Sequence, residues 1–405
     1  MNDLNSFGTV TVMMAKGHKK MGLNFIDLFA GAGGLSCGLE RAGLNCILGV
    51  DFDRAAMETF KRNHPNAEVF VGDIAKLDDE TALRLTKNRE VDLVCGGPPC
   101  QGLSTVGKGI PNDPRNLLFL QFVRLVKLFS PKYIMLENVT GLLGKKNRNI
   151  LNGIMSEFEK LGYHLDVQVL SAHHYGAPQK RRRTIFIGNR MGYANIFPEI
   201  MFDAHDACLP PAKTVGDAFK SLGMGDGGTH NHDVGGASIP EGTEREIIRR
   251  IPEGRYIRYE SDELELLPKE LHLGVDWRTI QEGRLRQAKY RRLHRDEPSP
   301  TIMTDGHTYY HPIEDRFITV REGAAIQGFP NDFVFEGTVS QQWRQVGNAV
   351  PPPLAEAIGK AILKMELEKN GTIPRTKDLE GIRSHAFNYK TKSNTNRGQQ
   401  KLLVR

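Results

Sequence analysis

Apolar segments that end in glycine or in a polar side chain alternate with helical patterns between Asn24 and Gly188. This alternation predicts an α/β fold with a doubly wound sheet. Open parallel sheets bind their ligands outside the carboxyl ends of the strands. The residues that end these segments are therefore the first candidates for a functional site.

The first segment predicts a nucleoside site. A buried strand, Asn24 to Phe29, is followed by the turn Ala30-Gly31-Ala32-Gly33-Gly34 and by a helical pattern through Ala42. Glycines between a strand and a helix let a ligand lie against the main chain. NAD, FAD and adenosylmethionine sites share this pattern, and a simple tight turn produces it too.

Two acids follow at the ends of the next strands. Asp51 ends the segment Asn45 to Val50 and lies 18 residues beyond Gly33, near the spacing of about 20 expected for an acid that binds ribose. Asp73 follows Glu68 to Val71 and suits an adenine amino group. Phe52 is placed to stack on the ring.

Cys100 follows a Pro-Pro pair, Pro98-Pro99, after the apolar run Val91 to Val94. Prolines cannot extend a strand ladder, so the chain leaves the sheet here and presents the thiol. Glu137 follows a further apolar run, and the two side chains are expected to share one cleft. Taken singly, Cys100 could be a small core residue and Glu137 a helix cap.

A basic run, Lys180 to Arg183, directly precedes the apolar strand Thr184 to Gly188. Alternation along a strand predicts that Arg181 and Arg183 point towards the site and Arg182 away from it.

Five motifs occur in an order that resembles the cytosine-C5 DNA methyltransferase family. They are Phe-x-Gly-x-Gly from Phe29, Pro-Pro-Cys-Gln from Pro98, Glu-Asn-Val from Glu137, Gln-x-Arg-x-Arg from Gln179 and Gln-x-Gly-Asn from Gln345. The resemblance covers about residues 24–364, except for about a hundred residues after Arg190. It implies a Rossmann-like, adenosylmethionine-dependent methyltransferase sheet with a second, smaller target-recognition domain.

The resemblance also assigns roles. Cys100 is expected to be the nucleophile, Glu137 to contact N3 of cytosine, and Arg181 and Arg183 to hold the substrate site. The expected S-adenosyl-L-methionine pocket is formed by Phe29, Gly31, Gly33, Asp51, Phe52, Asp73, Ile74, Pro98, Leu118 and Asn348. Ala349 stands where many relatives carry serine, a small departure.

These residue types suit the chemistry. Carbon 5 of cytosine is too electron-poor to attack a methyl sulfonium until a thiolate has added to carbon 6. Glu137 would bind or protonate N3, which requires a raised carboxyl pKa of the kind that burial provides.

The motif order divides the chain. An N-terminal extension (1–20) precedes a catalytic and cofactor-binding domain (21–189), and a target-recognition domain, the recognition segment (190–340), follows. Residues 341–365 return to the catalytic domain, and 366–405 form a flexible tail with nine Lys/Arg and four Asp/Glu. Thr319 and Glu322 predict a capping box at a helix start.

The stretch from about Asn189 to Glu297 is expected to contact base edges in the major groove of double-stranded DNA, with Arg249, Arg250 and Arg255 on phosphates or bases. The pair His230 and His232 lacks cysteine partners, so a loop is favoured over a metal site, and no metal is expected. The sequence does not decide whether a cognate restriction endonuclease exists. Such an enzyme would act on the same DNA without binding the chain.

Composition sets the remaining expectations. The net charge is +6, and the five cysteines are without paired spacing, which predicts a reducing compartment and no disulfides. We expect no transmembrane helix, no secretory signal, a monomer, and a bacterial cytoplasmic location with association to the nucleoid through DNA.

Two other functions compete. A tRNA cytosine-5 methyltransferase would share the catalytic motifs but typically carries a Cys-Phe-Thr signature that this chain lacks. A non-catalytic DNA-binding regulator of the same fold would have lost the thiol or the acid, and both Cys100 and Glu137 are present.

Overall fold

The computed structural model describes residues 22–99, 114–144, 147–203, 206–222, 229–277 and 290–368. The strands are β1 Asn24–Leu28, β2 Asn45–Asp51, β3 Glu68–Val71, β4 Leu93–Gly96, β5 Tyr133–Val139, β6 His164–Ser171, β7 Arg182–Asn189, β8 Arg291–Arg292 and β9 Tyr309–Tyr310. The α-helices are α1 Gly34–Ala42, α2 Arg54–Asn63, α3 Asp79–Leu85, α4 Pro114–Phe129, α5 Arg148–Lys160, α6 Val215–Lys220, α7 Thr243–Arg250, α8 Glu260–Leu266, α9 Val320–Gln327, α10 Val339–Asn348 and α11 Pro352–Glu368.

Seven strands form the central sheet in the order β3-β2-β1-β4-β5-β7-β6. The strands β1 to β5 are parallel, whereas β7 runs antiparallel to both of its neighbours. The start of β7 therefore lies at the same edge as the carboxyl ends of β1, β4 and β5. The predicted α/β fold class is confirmed.

Helices cover both faces of this sheet because its strands alternate apolar side chains between them. On one face Ile26 packs in a cluster that includes Phe119 of α4 and Phe158 of α5. On the other face Phe25 packs in a cluster with residues of α1 and α11, among them Ile358.

The recognition segment has a hydrophobic cluster of its own. It is built from one face of α7, from residues around α8 and from Tyr310 of β9, with the buried members Ile239, Ile247, Ile248, Ile251, Ile257 and Leu267. A buried arginine, Arg292, donates to the carbonyl oxygens of Ile248 and Ile251 and so ties β8 to the end of α7. The predicted domain boundaries themselves stay a prediction.

The chain before β7 joins the recognition segment to the catalytic sheet. Gln179 Oε1 accepts a hydrogen bond from the Ile302 amide at 2.7 Å, and its Nε2 donates to Gln327 Oε1 at 2.7 Å. The Lys180 amide donates to the Ser299 carbonyl at 2.8 Å. These bonds fix the recognition segment beside the carboxyl edge of the sheet.

The predicted capping box at the start of α9 is confirmed: Thr319 accepts from the Glu322 amide, and Glu322 accepts from the Thr319 amide. One boundary differs from the sequence prediction. Glu137 and Asn138 lie within β5 rather than after it, because β7 continues to pair with β5 as far as Val139. No helix in the described part of the chain is both long and apolar enough to cross a membrane.

Candidate active site

The turn after β1 has an unusual backbone. Phe29, Gly31 and Gly33 have φ values of 63°, 54° and 89°, in the left-handed region that costs a residue with a Cβ about 1 kcal/mol or more. The Asp51 carboxylate accepts from the amides of Gly31 and Asp53, both at 2.9 Å. Asp51 therefore holds the glycine turn, and a second lone pair on each oxygen is available to a ligand hydroxyl.

A cavity of about 610 Å³ opens at the carboxyl ends of β1, β2, β3 and β4. Six predicted cofactor residues line it: Phe29, Asp51, Phe52, Asp73, Ile74 and Leu118. The Phe52 ring is 77% exposed at this cavity, as expected of an aromatic side chain that stacks on a ligand. The volume lies within the range of about 300–1,000 Å³ that is usual for small-molecule sites.

The other four predicted cofactor residues do not line this cavity. Gly31 and Gly33 shape the turn above it, and the Pro98 carbonyl accepts from Asn138 Nδ2 at 3.0 Å. Asn348 is exposed at the end of α10, and the chain just after it packs against Gly34 at the start of α1. Asn348 therefore lies close to the glycine turn but outside the cavity.

Five further residues line the cavity that were not predicted from the sequence, Val50, Gly72, Ala75, Gly97 and Pro99. Each is adjacent in the chain to a predicted residue, so position at a strand end was the signal that could have found them. Pro99 and Gly97 connect the cavity to the second part of the site.

Glu137 forms that second part. Its Oε1 lies 2.5 Å from Nε of Arg183, which stands at the start of β7. Both side chains are 15% exposed. Gly97 leaves room for the carboxylate, since a Cβ at that position would lie 3.1 Å from Glu137 Oε2. Burial raises the pKa of Glu137, and the charges of Arg183 and Arg181 oppose this rise.

The three arginines alternate as predicted: Arg181 is buried, Arg182 is exposed and Arg183 is half-buried. Arg181, however, is occupied by main-chain contacts, donating to the carbonyls of Ile302 at 3.2 Å and Gly347 at 2.7 Å. Burial lowers the pKa of Arg181 to about 9. Arg181 thus acts on Glu137 through its charge, whereas Arg183 contacts it directly.

Cys100, the predicted nucleophile, lies outside the described residues, which stop at Pro99 and resume at residue 114. The preceding Pro-Pro turn is anchored to β5 by Asn138. Pro99, the last described residue before the gap, lines the cavity, and Gly97 two residues earlier adjoins the Glu137 carboxylate.

A buried acid beneath the glycine turn was also missed. Asp27 of β1 is 1% exposed and accepts from the Ser36 hydroxyl at 2.7 Å, while its Oδ1 has no hydrogen-bond partner among the described residues. Burial raises its pKa to about 7. An aspartate inside an otherwise apolar strand was the signal. In the described residues, no cluster of histidine, cysteine and acidic side chains could hold a metal ion.

Comparison with known proteins covers most of the chain. The family model for C-5 cytosine-specific DNA methylase matches residues 23–364. Type II methyltransferase M1.HphI of Haemophilus parahaemolyticus is 38% identical over 352 residues, which are 85% of this chain and 88% of the relative. Type II methyltransferase M.DdeI of Desulfomicrobium norvegicum is 34% identical over 382 residues, covering 84% and 88%.

Solved structures give the same fold. A protein described as a DNA modification methyltransferase encoded within an Escherichia coli prophage superposes with a TM-score of 0.59 at 28% identity, covering 86% of this chain and all of that one. DNMT2 of Spodoptera frugiperda superposes with a TM-score of 0.56 at 18% identity and with the same coverage.

Proposed function

Because the chain belongs to the C-5 cytosine-specific DNA methylase family, we propose that it methylates carbon 5 of a cytosine within a specific double-stranded DNA sequence. The methyl donor in this proposal is S-adenosyl-L-methionine. The family predicted from the motif order is confirmed, and with it a DNA cytosine methyltransferase enzyme.

The cavity fits the proposed donor. A nucleoside needs acceptors for its ribose hydroxyls and amino group and an apolar surface for its ring. Asp51 and Asp73 offer the acceptors, and Phe29, Phe52 and Leu118 offer the surface. When bound, the donor supplies a methyl group activated by a positively charged sulfur.

In the proposed mechanism the Cys100 thiolate adds to carbon 6 of cytosine, and the electron pair moves towards carbon 5 and N3. Carbon 5 would take up the methyl group that a donor held by Asp51, Phe52 and Asp73 would supply, and the donor's sulfur would keep the electron pair of the broken sulfur–carbon bond. Loss of the carbon 5 proton and expulsion of the thiolate by elimination restore the ring. The Pro-Pro turn beside the cavity supports a thiol placed between the donor and the carboxylate.

Glu137 has the environment that this mechanism requires. A raised pKa favours the protonated carboxyl group, which is the form that can donate a proton to N3. Arg183 fixes its orientation through the 2.5 Å contact. This Glu137 and Arg183 pair, next to Gly97 and the cavity, is the observation that carries the proposal.

A cytosine stacked within a duplex is out of reach of such a recessed site. The target base must therefore leave the helix, at a cost of a few kcal/mol. The recognition segment, fixed beside the site through Gln179 and Lys180, is positioned to offset that cost by contacts with the surrounding DNA.

Several relatives are named Type II methyltransferases. On that basis we place this chain in a restriction-modification system, in which it shares its target sequence with an endonuclease. We further propose that it acts as a monomer on nucleoid DNA in the cytoplasm. Methylated DNA from expressing cells should resist that endonuclease.

Bisulfite sequencing of DNA and RNA from cells that express the chain tests the function. We expect cytosines protected at one short DNA sequence, and none when Cys100→Ala is expressed instead. Protection confined to tRNA would establish the RNA-modifying alternative. Absence of protection in both nucleic acids, with DNA binding retained, would establish the non-catalytic regulator.

A further inference from the structure

A second groove lies beside the candidate active site. It encloses about 560 Å³ between Lys180, which precedes β7, and the part of the recognition segment around β8. Lys180 is three residues before Arg183, so an extended chain places it about 10 Å from the arginine that contacts Glu137. The groove is thus close enough to contact base pairs neighbouring a cytosine held at that site.

The short strand β8 directs one arginine into this groove. Successive residues of a strand point to opposite faces. Arg292 points into the core, where it donates to main-chain carbonyls and pairs with Asp315 at 2.6 Å. Arg291 therefore points the other way, and its guanidinium lies 4.3 Å above the ring centre of Tyr256.

The other arginines around this groove are committed to carboxylates. Arg255 pairs with Glu265 at 2.7 Å, and Arg295 pairs with Glu253 at 2.8 Å. Lys180 is 3.9 Å from Glu297, and both of those side chains are more than half exposed. Arg291 forms no ion pair with any residue in the described ranges.

The cation–π contact with Tyr256 holds Arg291 through its charge and does not use its hydrogen-bond donors. The guanidinium itself is a rigid, planar fork of N–H groups. Two parallel donors held in this way match O6 and N7 of guanine, the pair of acceptors that this base presents in the major groove.

We propose that Arg291, oriented by Tyr256, recognises a guanine close to the target cytosine and is a specificity-determining residue of this enzyme. The inference rests on the proposed function. The proposal assigns base recognition to Arg291 instead of the three arginines expected from the sequence. Arg249, Arg250 and Arg255 are each paired with a glutamate in the structure.

The test begins with the wild-type target sequence found by bisulfite sequencing. Methyl transfer is then measured as kcat/KM on a set of duplexes that keep the target cytosine and replace the neighbouring base pairs singly. In Arg291→Ala the preference for one G·C pair, measured as the ratio of kcat/KM values, should fall by about 5- to 150-fold, while the preferences at other positions stay the same. Arg291→Lys should restore the preference only in part, because an ammonium group can donate to guanine but lacks the rigid planar fork that Tyr256 orients.

Two further variants separate orientation from folding. Tyr256→Phe keeps the ring and should keep the preference, whereas Tyr256→Ala should weaken it at the same base pair as Arg291→Ala. Arg41→Ala is the matched control, since this half-exposed arginine pairs with Glu356 between α1 and α11, and it should leave every preference unchanged.

Two results would overturn the inference. If Arg291→Ala lowered kcat/KM equally on all duplexes, with a shallower salt dependence, Arg291 would be a phosphate contact. If the variant kept its preference at every base pair, Arg291 would have no part in recognition. Both differ from failure of the proposed function, in which the wild-type chain itself methylates no DNA.

Discussion

Asp27 should make the stability of the protein depend on pH. Its carboxyl group is buried under the glycine turn, and burial raises its pKa from 3.8 to about 7. The folded protein therefore keeps the proton at pH 5, where the unfolded chain has already released it. Stability is fully present below the unfolded pKa and is lost as the pH rises through the folded pKa.

The magnitude follows from the two pKa values. Each tenfold difference in proton affinity is worth about 1.4 kcal/mol. At pH 5 the loss is about 1.6 kcal/mol, and above pH 8 it approaches about 4 kcal/mol. Asp27→Asn cannot ionise, so the free energy of unfolding of the wild type, relative to this variant, should fall by about 2 to 3 kcal/mol between pH 5 and pH 8.

Equilibrium urea unfolding of both proteins at the two pH values measures this difference. Any change in the free energy of unfolding that the new amide side chain causes at both pH values cancels, because only the change with pH is compared. Asp217→Asn is the control: the hydrogen bond from the Thr214 amide, the largest influence on its carboxylate, lowers the pKa below 3.8, so its effect should be the same at pH 5 and pH 8. A difference between wild type and Asp27→Asn that is equal at both pH values would refute the argument.

Four further predictions concern the site. Cys100→Ala should reduce tritium transfer to DNA on the order of a million-fold while DNA binding persists. Glu137→Gln should reduce it by about a hundred- to ten-thousand-fold. Substantial activity of the Cys100→Ala variant would exclude the thiol as nucleophile. Arg183→Gln should move the Glu137 limb of the pH–rate profile to higher pH, because it removes a charge that lowers this pKa; a shift to lower pH would contradict the contact. DNA containing 5-fluorocytosine should form an adduct that survives denaturation, since fluorine cannot leave as a cation, and an active enzyme that forms none would argue against covalent addition. Gly33→Ala should destabilise the fold more than Gly31→Ala in urea unfolding, because a Cβ at Gly33 would clash with a buried histidine ring while one at Gly31 would meet open space; equal effects would show that backbone conformation alone matters.

The sequence predicted six of the seven strands of the central sheet, all but β6, and the residues at their ends, because both depend on short patterns. Alternation of apolar segments with glycine turns placed Asp51, Asp73 and Glu137 correctly at one edge of the sheet. The partner of Glu137 required more, since Arg183 reaches it only because β7 runs antiparallel and begins at that edge.

Long-range burial explains what the sequence did not predict. Arg181 and Arg183 are equivalent in a strand pattern, yet Arg181 is covered by residues 121 and 166 positions further along the chain. Similarly, nothing local distinguishes Arg291 from Arg249. Arg291 lies over the ring of Tyr256, 35 positions earlier in the chain. Arg249 pairs with Glu246 of its own helix and with Glu241 just before that helix.

The bonds that join the recognition segment to the chain before β7 have a consequence for how such enzymes diversify. At the recognition segment three of these bonds end on main-chain atoms, the Ser299 carbonyl, the Ile302 amide and the Ile302 carbonyl, whereas the fourth ends on the Gln327 side chain. Main-chain groups are present whatever side chains the segment carries. Under the recognition role proposed for this segment, new target sequences can therefore arise by substitution across it without detaching it from the catalytic strand, provided that Gln327 and the backbone course at Ser299 and Ile302 are kept.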